Sequence, residues 1–442
     1  MGGGLSFEGL NDAGASGEPM IVILNDNGMS INTNVGGMST HLSKLRNTPS
    51  YNEFKKRYRR ALSTSQAGQK VYELSHDVKT ALKKSFYPGS TMFEDMGFKY
   101  MGPVDGHDVE ALTQALTLAK EIRRPVLLHV NTVKGKGYRF AEEDPGRFHG
   151  ISPFDPATGQ LRKAPQKTFS QVFGETICEM AQKDRRICAI TAAMEDGTGL
   201  NDFAKTFPRR FFDVGIAEGH ATAMAAGMAK QGLVPVFAVY SSFLQRGFDM
   251  LMHDVSLSRI HAVFAVDRAG LVGADGETHH GCFDPMYLSI IPGMTVLCPA
   301  SFAELRSMMK TAIEDIDGPV AVRYPRGGEG TYQSCCGDEL VTQLCDGNDI
   351  TIVSYGVMIN EALGAAELLA QRGISARVLK LNRIAPLTNE EVCEMLRDEK
   401  HLLVLEDCLG TGCVGQRIAA ILAQEGAAPK HLILKNMGGV LP

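Results

Sequence analysis

Asn25, Asp26 and Asn27 stand together at the end of the apolar run Met20–Leu24. The run is short and rich in β-branched residues, as in a buried strand. Side-chain oxygens beyond the carboxyl end of a strand suit a hard cation such as Mg2+, which often bridges to phosphates. Asn and Asp are also good turn formers, and on this pattern alone an Asx turn is the favoured reading. In Asp213–Gly232 (DVGIAEGHATAMAAGMAKQG) a short strand meets a helix of small residues, with Glu218 and His220 at the junction. A carboxylate there is either a helix-dipole partner or a partly buried acid suited to sharing a proton with a ligand. In Val239–Val255 (VYSSFLQRGFDMLMHDV) Tyr240, Phe243 and Arg246 fall at helical spacing after a strand, and Phe243 reads as a packing residue.

The long glycine-rich segment Val266–Pro285 (VDRAGLVGADGETHHGCFDP) carries Arg268, Asp275, His279 and His280. Loops this long and polar are usually functional. No acidic or cysteine partner has ligand spacing to the two histidines, so a metal site in this loop is rejected. RYPRG places Arg323 and Arg326 beyond another strand end, where guanidinium groups suit phosphate or carboxylate. GTGCVG (Gly410–Gly415) matches a dinucleotide fingerprint after the run LLVLED. No acidic residue follows at the expected distance of about twenty residues, so a tight strand-to-helix turn explains it better than NAD.

These residues need elements to hold them. Strands are expected at Val126–Val130, Ile187–Thr191, Val234–Tyr240, Ala262–Val266, Val320–Arg323, Ile350–Ser354, Ala376–Leu381, His401–Leu405 and His431–Leu434. Helices are expected between them at Val109–Ile122, Phe169–Gln182, His220–Gln231, Ala303–Ile313, Glu361–Arg372 and Val414–Gln424. Such alternation predicts α/β architecture, with parallel sheets covered by helices on both faces. Glu142–Lys167 and Tyr324–Glu339 read as linkers and divide the chain near residues 165 and 335. With 442 residues, 44% hydrophobic and 21% charged, the chain suits two or three globular domains with sizeable cores. A net charge of −5 argues against general nucleic-acid binding, and the basic run Lys55–Arg60 reads as a solvated segment. Ten scattered cysteines without a C-x-x-C pair support neither zinc nor a disulfide framework and fit a reducing cytosol. No apolar run reaches membrane-spanning length, and the N-terminus has no secretory-signal pattern.

Taken in order, LNDN, KGKGY, GIAEGHA, YSSFLQR, DRAGLVGADGETHHG and RYPRG closely resemble the 1-deoxy-D-xylulose-5-phosphate synthase family, transketolase-like enzymes dependent on thiamine diphosphate. The resemblance covers essentially the whole chain. It implies three doubly wound α/β domains of the thiamine diphosphate-binding type: 1–165, the C-terminal part of a diphosphate-binding domain that is incomplete; 166–335, a pyrimidine-binding domain; and 336–442, a transketolase C-terminal-type domain. It implies a cytoplasmic, usually dimeric enzyme that condenses pyruvate with glyceraldehyde 3-phosphate and releases carbon dioxide, with no nucleic-acid or membrane partner. The product feeds isoprenoid, thiamine and pyridoxal synthesis. By the same resemblance, the Asn27 side chain and the Met29 carbonyl are Mg2+ ligands. Lys134, Tyr138, Phe243 and Arg246 lie at the cofactor, and Glu218 hydrogen-bonds its aminopyrimidine. His149 is an active-site histidine, Asp275 and His279 orient donor and intermediate, and Tyr240, Arg268 and Arg326 hold the acceptor's phosphate.

Three departures accompany the match. Gly219 stands where the family usually has Gln. The family's GDG, whose Asp is the other Mg2+ side-chain ligand, is expected just before Met1. NMGGVLP stops where the family continues for a few dozen residues. The chain therefore reads as truncated at both ends and is expected to bind the cofactor poorly and lack synthase activity as written.

Overall fold

The computed structural model describes residues 3–31, 33–46, 92–162, 166–335 and 339–439. The basic run Lys55–Arg60 lies outside the described residues. The chain forms two compact units, 1–163 and 164–442.

In the first unit, β1 (Ile21–Asp26), β2 (Lys99–Asp105) and β3 (Val126–Asn131) make a parallel sheet in the order β1-β3-β2. The central β3 is the most buried of the three, with its first five residues inside. The helix Val109–Glu121 has the side chain of Asp108 accepting from Ala111 N and buries Ala111, Ala115 and Ala119 at helical spacing. β2 was not anticipated, because Gly102–Pro103 interrupts its apolar run. Pro is tolerated in a sheet at an edge or a bulge, and β2 is an edge strand whose register shifts between Met101 and Val104.

A short antiparallel pair, β4 (Phe154–Asp155) with β5 (Gln160–Leu161), also belongs to the first unit. The second unit holds two sheets. Strands β6 (Ile187–Thr191), β7 (Phe211–Asp213), β8 (Val234–Tyr240), β9 (Val263–Asp267), β10 (Thr295–Leu297) and β11 (Val320–Arg323) are mutually parallel where paired. The seven-stranded order is β15-β10-β11-β9-β8-β6-β7, where β15 (Arg383–Ala385) adds an antiparallel edge. All residues of β6, β8, β9 and β11 are buried, which explains their continuous apolar runs. The chain steps from β6 out to β7 and then crosses to β8 on the other side. Strand order therefore reverses at β6, and ligands in open α/β sheets bind beyond the carboxyl ends at such a point. The second sheet has the order β12-β14-β13-β16-β17, from Val341–Cys345, Ala376–Leu381, Ile350–Tyr355, His401–Leu405 and His431–Lys435. The expected helices appear within two residues at their ends; the helix expected from His220 begins at Glu218, and that expected from Phe169 starts there under a Thr168–Gln171 capping box. The short strand expected before the Glu218 helix is found as β7, beginning two residues before Asp213, whereas β10, β12 and β15 were not anticipated, since three to five residues carry too little periodicity to be seen.

The segment after Tyr324, expected as a linker, packs down among its described residues. Tyr332 is buried and donates to Glu304 Oε1 at 2.6 Å. Glu304 is itself fully buried, accepts from Ala300 N at 2.7 Å and pairs with the buried Lys380 Nζ at 3.1 Å. Removing one partner of a buried pair strands the other charge and costs about 3–5 kcal/mol, whereas removing both costs far less. Lys380→Met is therefore expected to lower the denaturant midpoint strongly, and Lys380→Met combined with Glu304→Gln to recover part of the loss. A single mutant with an unchanged midpoint would contradict this account.

Candidate active site

The carboxyl edge of the seven-stranded sheet collects most of the residues singled out in the second unit. β9 ends in the fully buried Asp267, and Arg268 follows with φ 59°, in the left-handed region. Asp267 Oδ1 accepts from Arg268 N at 2.7 Å, and Oδ2 lies 2.9 Å from Arg268 Nη1. The same Nη1 donates to Ser170 Oγ and to the Gly197 carbonyl, each at 2.8 Å. Burial works against the Arg268 charge, but Asp267, Tyr240 and Asp275 together hold its pKa above the ordinary value. Its Nε is buried without a hydrogen-bond partner and faces Asp275 at 3.9 Å.

Tyr240 ends β8 with its ring 4.1 Å from the Arg268 guanidinium carbon. Burial raises its phenol pKa, so the hydroxyl stays protonated and able to donate. Phe243 stacks on Tyr240, with ring centroids 5.4 Å apart, and its other neighbour is His279 at 5.3 Å. Phe243 thus packs as its helical spacing suggested and still borders the site. His279 Nδ1 lies 2.9 Å from Thr278 Oγ1, while the buried His280 accepts from Val272 N and pins the loop's backbone. Arg326, half-exposed past β11, meets Asp275 Oδ2 through Nε at 2.9 Å. Both arginines therefore converge on the Asp275 carboxylate.

Glu218 opens the helix Glu218–Lys230 and is 4% exposed. Its Oε2 lies 3.5 Å from Nη1 of the exposed Arg246. A Cβ on Gly219 would stand 2.9 Å from Met250 Cε. The glycine thus lets Met250 close over the helix start and leaves Glu218 in place.

Sequence reasoning missed Ser170, Asp267 and Gly197. A Cβ at Gly197 would lie 2.3 Å from the Tyr240 hydroxyl, so only glycine admits that ring. A glycine loop at the carboxyl end of β6 was the available signal.

In the first unit the three polar residues divide their tasks. Asn25 Oδ1 accepts from Thr132 Oγ1 at 2.6 Å. Asp26 is buried; its Oδ1 accepts from Gly28 N, and its Oδ2 lies 3.0 Å from His129 Nε2. Asn27 Oδ1 accepts from Met29 N at 2.9 Å, the hydrogen bond of an Asx turn. Lys134 Nζ holds the next carbonyls, Ser30 at 2.8 Å and Ile31 at 3.3 Å, and burial lowers its pKa. Asn27, Met29 and Lys134 thus gather at one turn. Tyr138 lies apart in an aromatic cluster with Phe140, Phe148 and Phe154, its hydroxyl donating to Pro156 O. His149 has its pKa lowered by partial burial and then by Lys134.

The donors at this turn are oxygens of the right type for Mg2+, but the two expected ligands are neutral and too few to hold the ion by themselves. Among the described residues no group of three His, Cys, Asp or Glu could form a metal centre. The fit is that of a face completing the shell of a cation already bound to a diphosphate.

Residues 1–132 match the family model described as 1-deoxy-D-xylulose-5-phosphate synthase. Residues 166–329 match that of the transketolase pyrimidine binding domain, and residues 340–440 that of the transketolase C-terminal domain. The chain is 46% identical over 445 residues to the 1-deoxy-D-xylulose-5-phosphate synthase of Desulfitobacterium hafniense (strain Y51), covering 99% of this chain and 70% of that one. The chain belongs to the 1-deoxy-D-xylulose-5-phosphate synthase family. The Clostridium kluyveri relative is also 46% identical, over 94% of this chain and 67% of its own. A solved split gene transketolase, described as an inactive beta4 tetramer, superposes with a TM-score of 0.56 at 29% identity, over 62% of this chain and 90% of that one. The chain is thus a transketolase-type transferase of mixed helices and parallel sheets. No helix among the described residues is long and apolar enough to cross a membrane.

The Asp275 carboxylate lies against both Arg268 and Arg326. Charge-assisted hydrogen bonds contribute about 1.5–3 kcal/mol each. Asp275→Asn is therefore expected to tighten inorganic phosphate binding several-fold in calorimetric titration, and Arg326→Ala to weaken it by about tenfold or more. Unchanged phosphate affinity in both variants would remove the two arginines from anion binding.

Proposed function

We propose that this family member catalyses the thiamine diphosphate-dependent condensation of pyruvate with glyceraldehyde 3-phosphate, giving 1-deoxy-D-xylulose 5-phosphate and carbon dioxide. The product would enter isoprenoid, thiamine and pyridoxal biosynthesis. The reading takes the chain as three domains, 1–165, 166–335 and 336–442, working as a cytoplasmic homodimer with Mg2+. The observation that carries it is the buried Glu218 carboxylate at a helix start on the same sheet edge as the arginine pair. When bound, thiamine diphosphate supplies a carbon nucleophile and an electron sink for decarboxylation. The chain's own residues have four tasks. Glu218, shielded from water, would hydrogen-bond a nitrogen of the cofactor's pyrimidine ring, and Arg246 beside it would orient that carboxylate. Arg268 and Arg326 grip the acceptor's phosphate, with the protonated Tyr240 hydroxyl donating beside them. Asp275 and His279 border the reacting carbons, and Phe243 keeps them in register. Asn27, the Met29 carbonyl, Lys134, Tyr138 and His149 serve the diphosphate side and the domain connection.

A second reading, a chain that only assembles with a partner, is favoured by one observation: the two metal donors at the Asx turn are both neutral. One experiment separates the readings. The 442-residue chain is given saturating thiamine diphosphate and Mg2+, and glyceraldehyde 3-phosphate-dependent carbon dioxide release from pyruvate is followed. The proposed function requires turnover, with a fall of about 10²–10⁴-fold in Glu218→Gln, the usual contribution of an acid–base group. Absent turnover together with absent calorimetric cofactor binding would favour the assembly reading, and a near-normal Glu218→Gln rate would remove Glu218 from the chemistry.

A further inference from the structure

The loop carrying Asp275 and His279 is closed at its neck by two backbone hydrogen bonds. Gly270 N donates to Gly281 O at 2.7 Å, and Gly281 N donates to Gly270 O at 2.8 Å. Gly270 has φ +76°, and a Cβ there would lie 1.8 Å from Asp407 Oδ2. The Asp407 carboxylate is therefore packed onto the backbone of the neck, in a space that only a glycine leaves open. Asp407 does not belong to the seven-stranded sheet. It follows β16 of the five-stranded sheet and is 6% exposed.

Its Oδ1 is buried without a hydrogen-bond partner and lies 3.9 Å from Arg323 Nη2. Arg323, 3% exposed, forks onto the fully buried Asp284 through Nε at 2.7 Å and Nη2 at 3.4 Å. One buried guanidinium thus serves two buried carboxylates. Asp284 sits just past the loop's far end, and Arg323 lies three residues before Arg326. Leu409 N adds a further tie, donating to the Cys282 carbonyl at 3.3 Å. A carboxylate buried without a full set of hydrogen bonds is costly. What this one secures is the place where the loop leaves and rejoins the sheet.

We propose that Asp407 is a positioning residue of the acceptor site. Reaching over from the five-stranded sheet, it holds the Gly270–Gly281 neck. Through Arg323 and Asp284 it also ties down the strand end that presents Arg326. Asp275 then keeps its place between the two arginines. The words "acceptor site" rest on the function proposed above; the mechanical claim about the neck does not.

The test compares the full chain with Asp407→Ala and Asp407→Asn by amide hydrogen exchange, reading peptides across 269–282 against peptides from β13 and β16. In Asp407→Ala, exchange at the neck is expected to quicken by about tenfold or more while β13 and β16 stay unchanged, as in local opening. Asp407→Asn keeps the shape and is expected to stay near wild type. In turnover assays Asp407→Ala should raise KM for glyceraldehyde 3-phosphate by about fivefold or more and leave KM for pyruvate within about twofold. Unchanged exchange at the neck, or exchange quickened equally through β13 and β16, overturns the proposal, as does an equal rise in both KM values. If the wild-type chain shows no turnover, the functional reading fails, and the exchange result alone decides whether Asp407 holds the neck.

Discussion

A guanidinium held away from water is the constraint on which this site rests. Arg268 takes up a left-handed backbone conformation that costs a non-glycine residue about 1–2 kcal/mol. It is held there because Asp267 accepts from both its amide and its side chain. Once the guanidinium is fixed, much else follows. The Tyr240 ring lies against it, Gly197 must leave room for the Tyr240 hydroxyl, Phe243 stacks on Tyr240, and His279 meets Phe243 edge-on. A single buried ion pair at the end of β9 thereby sets residues from three separate chain segments.

The pair also explains why a charged group can face a ligand and still have a defined geometry. An exposed arginine loses side-chain entropy on binding and is screened by water. Arg268 has already lost that freedom to Ser170, Gly197 and Asp267, and its remaining Nε is directed toward Asp275. Arg326 is the contrasting partner: it is half-exposed, tied through Nε to Asp275, and placed by the strand end of β11. A fixed cation and an adaptable one flank the same carboxylate.

The sequence exposed the ligand-facing residues more readily than their supports. Tyr240, Arg268 and Arg326 sit at or just past apolar runs, where a strand's end is visible as a change from apolar to polar; Asp275 stands out in a long glycine-rich loop and Glu218 at a strand-to-helix junction. Their supports carry no such mark. Ser170 lies inside a helix whose apolar spacing conceals it, Asp267 reads as one more strand-end acid, and Gly197 as an ordinary loop glycine. Asp407 is harder still, since it touches Gly270 only because the five-stranded sheet brings residues far apart in sequence together. The fold was legible wherever elements were long and fully buried, as in β6, β8, β9 and β13. It was hidden in β2, where Gly102 and Pro103 break the pattern, and in β15, a three-residue edge whose only reason to be a strand is the neighbour it pairs with.

The polar cluster at the end of β1 shows how a turn and a ligand site can be the same structure. The Asn27 hydrogen bond to Met29 N uses one lone pair of an oxygen that has two, and it fixes the turn on which the Met29 carbonyl sits. The charge in the cluster is turned the other way: Asp26 faces inward, against His129, whose second ring nitrogen lies 2.6 Å from the Tyr100 hydroxyl. A buried carboxylate with both oxygens engaged is a poor metal ligand but a firm anchor, because moving it would leave a charge and a histidine unpartnered in the core. The arrangement therefore divides its tasks. Asp26 spends its charge on rigidity, and Asn27 fixes the turn that carries Met29.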